Sequence, residues 1–163
     1  MLVLGIDPGY AIVGYGLVQR IKNDVKPLQY GVIRTAATLP IHERLLEIFE
    51  DLEKIIDAFK PDAISIEKLF FNTNEKTAIN VSQARGVIVL AAARAGIPMF
   101  EYTPLQVKMS VVGYGRADKH QVQELTRSIL KLAEIPKPDD AADALAIALC
   151  HAHTAASRMF MGG

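Results

Sequence analysis

Hydrophobic and polar positions separate the chain into a strand-rich first third and a mainly helical remainder. Residues 2–7 (Leu2-Val3-Leu4-Gly5-Ile6-Asp7) form a short apolar run stopped by Pro8-Gly9, the pattern of a strand buried on both faces. A second strand is predicted over about 11–20 and a third over about 27–35, with Asn23-Asp24 as the turn between them. Gly14 and Gly16 lie inside the second strand, where glycine marks either close packing or a ligand near the main chain. From 41 to 59 the period changes: Ile41, Leu45, Ile48, Leu52, Ile55, Ile56 and Phe59 recur at helical spacing. Glu43, Glu47, Glu50, Asp51, Glu53 and Lys54 form the solvated face of that helix. Pro61 ends it, and residues 62–67 read as a fourth strand. A long helix follows over 74–95, capped by Asn74 and closed by Gly96, with small residues (Ala84, Gly86, Ala91, Ala92, Ala93) that suit close packing. A fifth strand over 97–102, a short helix near 104–112, a helix from Asp118 to about Ala133 and a last helix over about 140–157 complete the chain.

Composition narrows this little. At 163 residues a single domain is expected, over 1–157, with 158–163 as a flexible tail. Eighteen basic and eighteen acidic side chains cancel, so any nucleic-acid surface must be a local patch. The single Cys150 excludes an internal disulfide and fits a reducing compartment. No charged leader precedes the first strand, and the longest apolar stretch, 86–93, is far below the ~20 residues of a membrane helix. A soluble cytoplasmic protein is predicted.

The chemistry lies at the ends of elements. The first strand terminates in Asp7 and the fourth in Glu67, as adjacent parallel strands presenting acids at one edge would. The last helix opens Asp139-Asp140-Ala141-Ala142-Asp143, placing Asp140 and Asp143 on one face. Acids in a first turn are ordinary responses to unpaired amides. Here, however, the following run to Leu149 is wholly apolar, so this helix start points into the molecule. Crowded carboxylates need a cation or raised pKa values. Oxygen-only ligands favour magnesium or manganese, and two such ions could activate a water and stabilise the leaving oxygen of a phosphodiester. Cys150, His151 and His153 do not make a competing metal site, because His151 points away from the other two.

These stretches, with Gly5-Ile6-Asp7-Pro8-Gly9, Ile66-Glu67-Lys68-Leu69-Phe70-Phe71-Asn72, Gln83-Ala84-Arg85-Gly86-Val87, Gln106-Val107-Lys108, Val112-Gly113-Tyr114-Gly115 and Asp140-Ala141-Ala142-Asp143-Ala144-Leu145-Ala146-Ile147-Ala148, closely resemble the RuvC family of Holliday-junction resolvases. The resemblance spans nearly the whole chain in the family's order. It implies an α/β, ribonuclease-H-like fold with a five-stranded mixed sheet flanked by helices. It further implies a structure-specific endonuclease that cuts two symmetry-related strands of a four-way DNA junction in recombination and repair, leaving 5′-phosphate ends.

Carried over by position, Asp7, Glu67 and Asp140 would ligate Mg2+, two ions per site with Mn2+ able to substitute, and Asp143 would stand beside them. Phe70 would stack on a base at the opened junction, or else belong to the core with Phe71. Lys108 and Lys119 would lie near the scissile phosphate, and Arg85 would touch DNA or a second subunit. The family also implies a homodimer, for which the 74–95 helix is the candidate contact, and a branch-migration complex of RuvA and RuvB type proteins. Three rivals stand beside it. An actin-like ATPase or sugar kinase shares the opening pattern but needs a longer chain. A ribonuclease-H-like nuclease acting on hybrids and a non-catalytic junction-binding module remain open.

Overall fold

The computed structural model describes residues 1–69 and 75–161. Five strands form one mixed sheet in the order β3-β2-β1-β4-β5. They are β1 (Leu2–Asp7), β2 (Ile12–Ile21), β3 (Asp24–Arg34), β4 (Ala63–Glu67) and β5 (Met99–Tyr102). The β3-β2-β1 half is antiparallel, whereas β4 and β5 run parallel to β1, with Ile6 opposite Ile66 and Glu67 opposite Tyr102. The expected five-stranded mixed sheet is therefore the one that forms. The helices are α1 (Ile41–Phe59), α2 (Glu75–Arg94), α3 (Pro104–Val111), α4 (Lys119–Ile129) and α5 (Asp139–Met161). No helix among the described residues is long and apolar enough to cross a membrane.

The strand period of two sorts the core into two layers. Leu4 and Ile6 of β1, Ile64 and Ile66 of β4, and Val13 and Leu17 of β2 face α1 and α2, meeting Ile48, Leu52, Ile56, Ala84 and Ile88. The alternate residues, Val3 and Val18, face α5 with its shell of α3 and α4. On this second face the positions nearest α5 are small: Gly5, Gly14, Gly16 and Ser65. A Cβ at Gly14 would collide with the Asp140 carbonyl oxygen, and one at Gly5 would stand 2.6 Å from the Ala148 amide nitrogen. Ser65 instead donates its hydroxyl to the Ile147 carbonyl at 3.2 Å. The facing helix is alanine-rich, and Ala141, Ala142, Ala144 and Ala148 are fully buried. Of the two readings of the strand-two glycines, close packing is the one realised.

Several boundaries differ from expectation. The third strand begins at Asp24, not about 27, because β3 is an edge strand and tolerates Pro27 beside the register shift at Leu17/Val18. The fifth strand starts at Met99 instead of 97. Asp118 caps α4 in a reciprocal capping box with Gln121, as its position predicted, but the helix ends at Ile129 and not near Ala133. Lys131 takes a left-handed conformation (φ 56°) that turns the chain out of the helix. The last helix continues to Met161, so the tail expected over 158–163 is helical as far as that residue.

The glycine contacts generate a direct test. Gly14→Val must push the α5 start off the sheet, and overpacking of this kind costs roughly 1–3 kcal/mol. A lowered midpoint in thermal unfolding is expected; an unchanged midpoint would mean that the helix does not rest on this glycine.

Candidate active site at the carboxyl edge of the sheet

Asp7 follows the parity of Val3 and Gly5, so its side chain leaves β1 on the α5 face. Glu67 ends the neighbouring parallel strand one residue beyond the Ile6–Ile66 pair. Across β1, Gly14 is the partner of Asp7, and Asp140 packs directly over Gly14, its Cβ 3.1 Å from where a glycine Cβ would stand. One helical turn later Asp143 faces the same edge. Four carboxylates separated by as many as 136 positions are thus delivered to one end of the sheet by two strands and one helix.

The electrostatics report their proximity. Burial first, and then the negative charges of Asp143, Glu67 and Asp140, together push the Asp7 carboxyl up to about 8 against the opposing Lys119. Glu67 is raised by burial and then by Asp143, with Lys119 again opposing. Burial would lower the Lys119 ammonium, but its hydrogen bond to Asp143 and the charges of Asp143, Asp139 and Asp7 outweigh that and hold it above its ordinary value. Its Nζ lies 2.9 Å from Asp143 and 3.6 Å from Asp139. Lys137, 3.2 Å from Asp139, holds that exposed carboxyl below its usual range.

As the side chains stand, no three of the acids among the described residues converge closely enough to cage an ion. The positive charge in their midst comes from Lys119. The donor set nevertheless fits a hard dication: all oxygen, borne on rigid element ends, with the Asp7 carboxyl raised by burial and by the neighbouring negative charges that a cation would offset. Asp7, Glu67, Asp140 and Asp143 are the residues that would hold it.

A pocket of about 190 Å³ opens beside the acids, lined by Glu67, Lys108, Lys119 and Asp143 over an apolar floor of Val107, Val122, Ala146 and Ile147. Both lysines named from sequence therefore line one pocket with two of the acids. Arg85 does not join them; its guanidinium pairs with Glu101 of β5, and its Nε is buried without a hydrogen-bond partner among the described residues. Phe70, with Phe71, lies outside the described residues. The sequence reading missed Gln123, which is buried and donates to Asp143 at 3.4 Å. Its spacing of four from Lys119 was the available signal. Cys150 is buried, and His151 Nδ1 lies 2.7 Å from the Tyr102 hydroxyl, both away from the acids.

A family model described as "Crossover junction endodeoxyribonuclease RuvC" matches residues 3–151. A protein of that name from Desulfitobacterium hafniense is 56% identical over 163 residues, covering 100% of this chain and 99% of the relative. Another, from Ruminiclostridium cellulolyticum, is 58% identical over 154 residues, covering 94% and 93%. Among solved structures, Thermus thermophilus RuvC in complex with a Holliday junction substrate superposes with a TM-score of 0.88 at 35% identity, covering 96% of each chain. The ribonuclease-H-like arrangement implied by the sequence is the fold observed. This chain belongs to the RuvC family of crossover junction endodeoxyribonucleases.

Proposed function

We propose that the acidic edge is the catalytic centre of a Mg2+-dependent nuclease that resolves Holliday junctions, with Asp7, Glu67, Asp140 and Asp143 as its metal ligands. The observation that carries this is the delivery of Asp7, Glu67, Asp140 and Asp143 to one end of the sheet by two neighbouring strand ends and the start of α5, with Asp140 packed over Gly14, the partner of Asp7. When bound, magnesium (two ions, with manganese able to substitute) would polarise the scissile phosphodiester and lower the pKa of an attacking water. The chain's own residues do the rest. The two strand ends and the α5 start fix the carboxylates on rigid elements, and Gln123 orients Asp143 by a hydrogen bond. Lys108 and Lys119 offer positive charge to the phosphate from the adjoining pocket. Phe70 is assigned to stacking on a junction base, a contact worth ~1–3 kcal/mol. Arg85, paired with Glu101, would meet DNA only at the margin of the site.

The substrate's two equivalent strands call for two equivalent sites, hence a homodimer. Support comes from α2, where Ile79 and Leu90 are 63% and 59% exposed and share one face with Gln83 and Gly86. A Cβ at Gly86 would meet no atom from outside its own helical turn within 4 Å among the described residues, so a second helix could approach there. Cooperation with RuvA and RuvB type proteins in the cytoplasm, and 5′-phosphate products, follow from the same reading.

Three outcomes test it. A synthetic four-way junction should be cut by the native protein with Mg2+ and not with EDTA. Asp7→Asn should lose roughly a thousandfold in rate, the scale of several kcal/mol of lost charge stabilisation, while still binding the junction. Retained magnesium-dependent cutting by that variant would remove Asp7 from the centre.

The pH dependence has a defined sign. The folded state binds the Asp7 proton more tightly than the unfolded chain, whose value is near 3.8, so without metal stability falls as pH rises from about 4 to about 8. Melting temperatures in EDTA should decline over that window in the native protein and less in Asp7→Asn. Added Mg2+ should recover the loss only in the native protein. For the dimer, Leu90→Glu should yield monomers in sedimentation; an intact dimer would place the contact elsewhere.

A further inference from the structure

On the other side of the sheet from Lys119, the turn after β1 is held by an arginine that has no carboxylate partner among the described residues. Arg44 is 9% exposed and lies on the buried stripe of α1 with Ile48, Leu52 and Ile56. Its Nε donates to the Thr35 hydroxyl at 2.8 Å, and that hydroxyl donates to the Tyr10 carbonyl at 2.6 Å. The guanidinium carbon stands 4.7 Å from the centroid of the Tyr10 ring. These contacts use Nε and one face of the group. Neither Nη nitrogen has a hydrogen-bond partner among the described residues, and neither is sealed from solvent. The guanidinium is thus fixed by neutral partners on one side and keeps its unused donors on the solvent side, where an anion can add to them.

The same place supplies further donors. Helical side chains lean toward their own N-terminus, which brings Arg44 back over the first turn of α1. That turn has no side-chain cap, since Pro40 occupies the N-cap. The amides of Ile41 and His42 therefore lack intrahelical acceptors. Glu43, the acid of this turn, is exposed and lies 3.9 Å from His42. Tyr10 is only three residues beyond Asp7, and Thr35 follows the Ile12–Arg34 pair at the same sheet edge, so this donor cluster flanks the acidic centre.

We propose that Arg44 and the first turn of α1 form a second phosphate site, binding a backbone phosphate of the DNA substrate on the side of the acidic edge opposite Lys119. This rests on the junction-nuclease reading. DNA would cross the edge between two cationic banks, Lys108 with Lys119 on the α5 side and Arg44 on the α1 side.

The test is binding of a synthetic four-way junction in EDTA, followed by anisotropy at several salt concentrations. Each neutralised duplex phosphate contributes about 0.9 to the slope of log affinity against log salt. Arg44→Gln should lower the slope by about that amount and weaken binding roughly tenfold at moderate salt. Arg44→Lys, which keeps the charge, should retain the slope, as should a distant control, Lys26→Gln. A native slope in Arg44→Gln, at any affinity, would overturn the proposal. Should that variant fail to fold, hydrogen exchange of the native protein decides. The Ile41 and His42 amides should be slowed by the junction, and unchanged exchange there would overturn it. A native protein that binds no junction at all would remove the functional reading itself, whereas native binding with an unaltered Arg44→Gln slope removes only this site.

Discussion

The distance between α5 and the sheet is the constraint on which this molecule depends. Helices usually pack on sheets through layers of large side chains on both elements, but here Gly5, Gly14 and Gly16 present none and meet α5 almost directly, at its backbone, Ala148 and Leu145. That closeness lets residues at the very start of α5 stand beside the ends of β1 and β4. With larger residues on the strands, Asp140 and Asp143 would be lifted away from Asp7 and Glu67. Packing and chemistry are thus one feature: the small residues that set the layer spacing also set the spacing of the charges.

Four acids at one edge work against stability. The raised Asp7 and Glu67 carboxyls are its signature, since the chain would gain by releasing this charge to solvent. The cluster persists because the elements that carry it are anchored elsewhere, by fully buried Leu4, Ile6, Ile64 and Ile66 on one face and by Leu145 and Leu149 on the other. Burying such a side chain is worth ~1.5–3 kcal/mol, enough together to hold strand ends that repel one another. Lys119 moderates the repulsion from an exposed helix start, where a long flexible side chain can follow Asp143 or a phosphate.

Much of this was legible in the residues. Strands ending in Asp7 and Glu67 and a helix opening with Asp140 and Asp143 follow from period and punctuation alone, and the apolar run after Asp143 correctly implied an inward-pointing helix start. Pairing is harder to read. That Arg85 would meet Glu101 depends on the α2–β5 juxtaposition, which no local pattern encodes. Pro27 concealed the first residues of β3 because only the sheet order reveals that the strand is an edge. Arg44 was hidden in plain view: it lies four residues before Ile48 on the buried stripe, where a charged residue at an apolar position was the signal. The roles of the glycines in β2 stayed divided between ligand and packing until the helix above them was in place.

Diffraction from crystals grown with Mn2+ tests the central claim most directly, because the ion's anomalous signal locates it without reference to activity. The account predicts a peak about 2.1 Å from carboxylate oxygens of Asp7 and at least one of Glu67, Asp140 and Asp143, with Lys119 displaced from Asp143. Full manganese occupancy at another place, with the Lys119–Asp143 pair intact and no peak at the sheet edge, would contradict it.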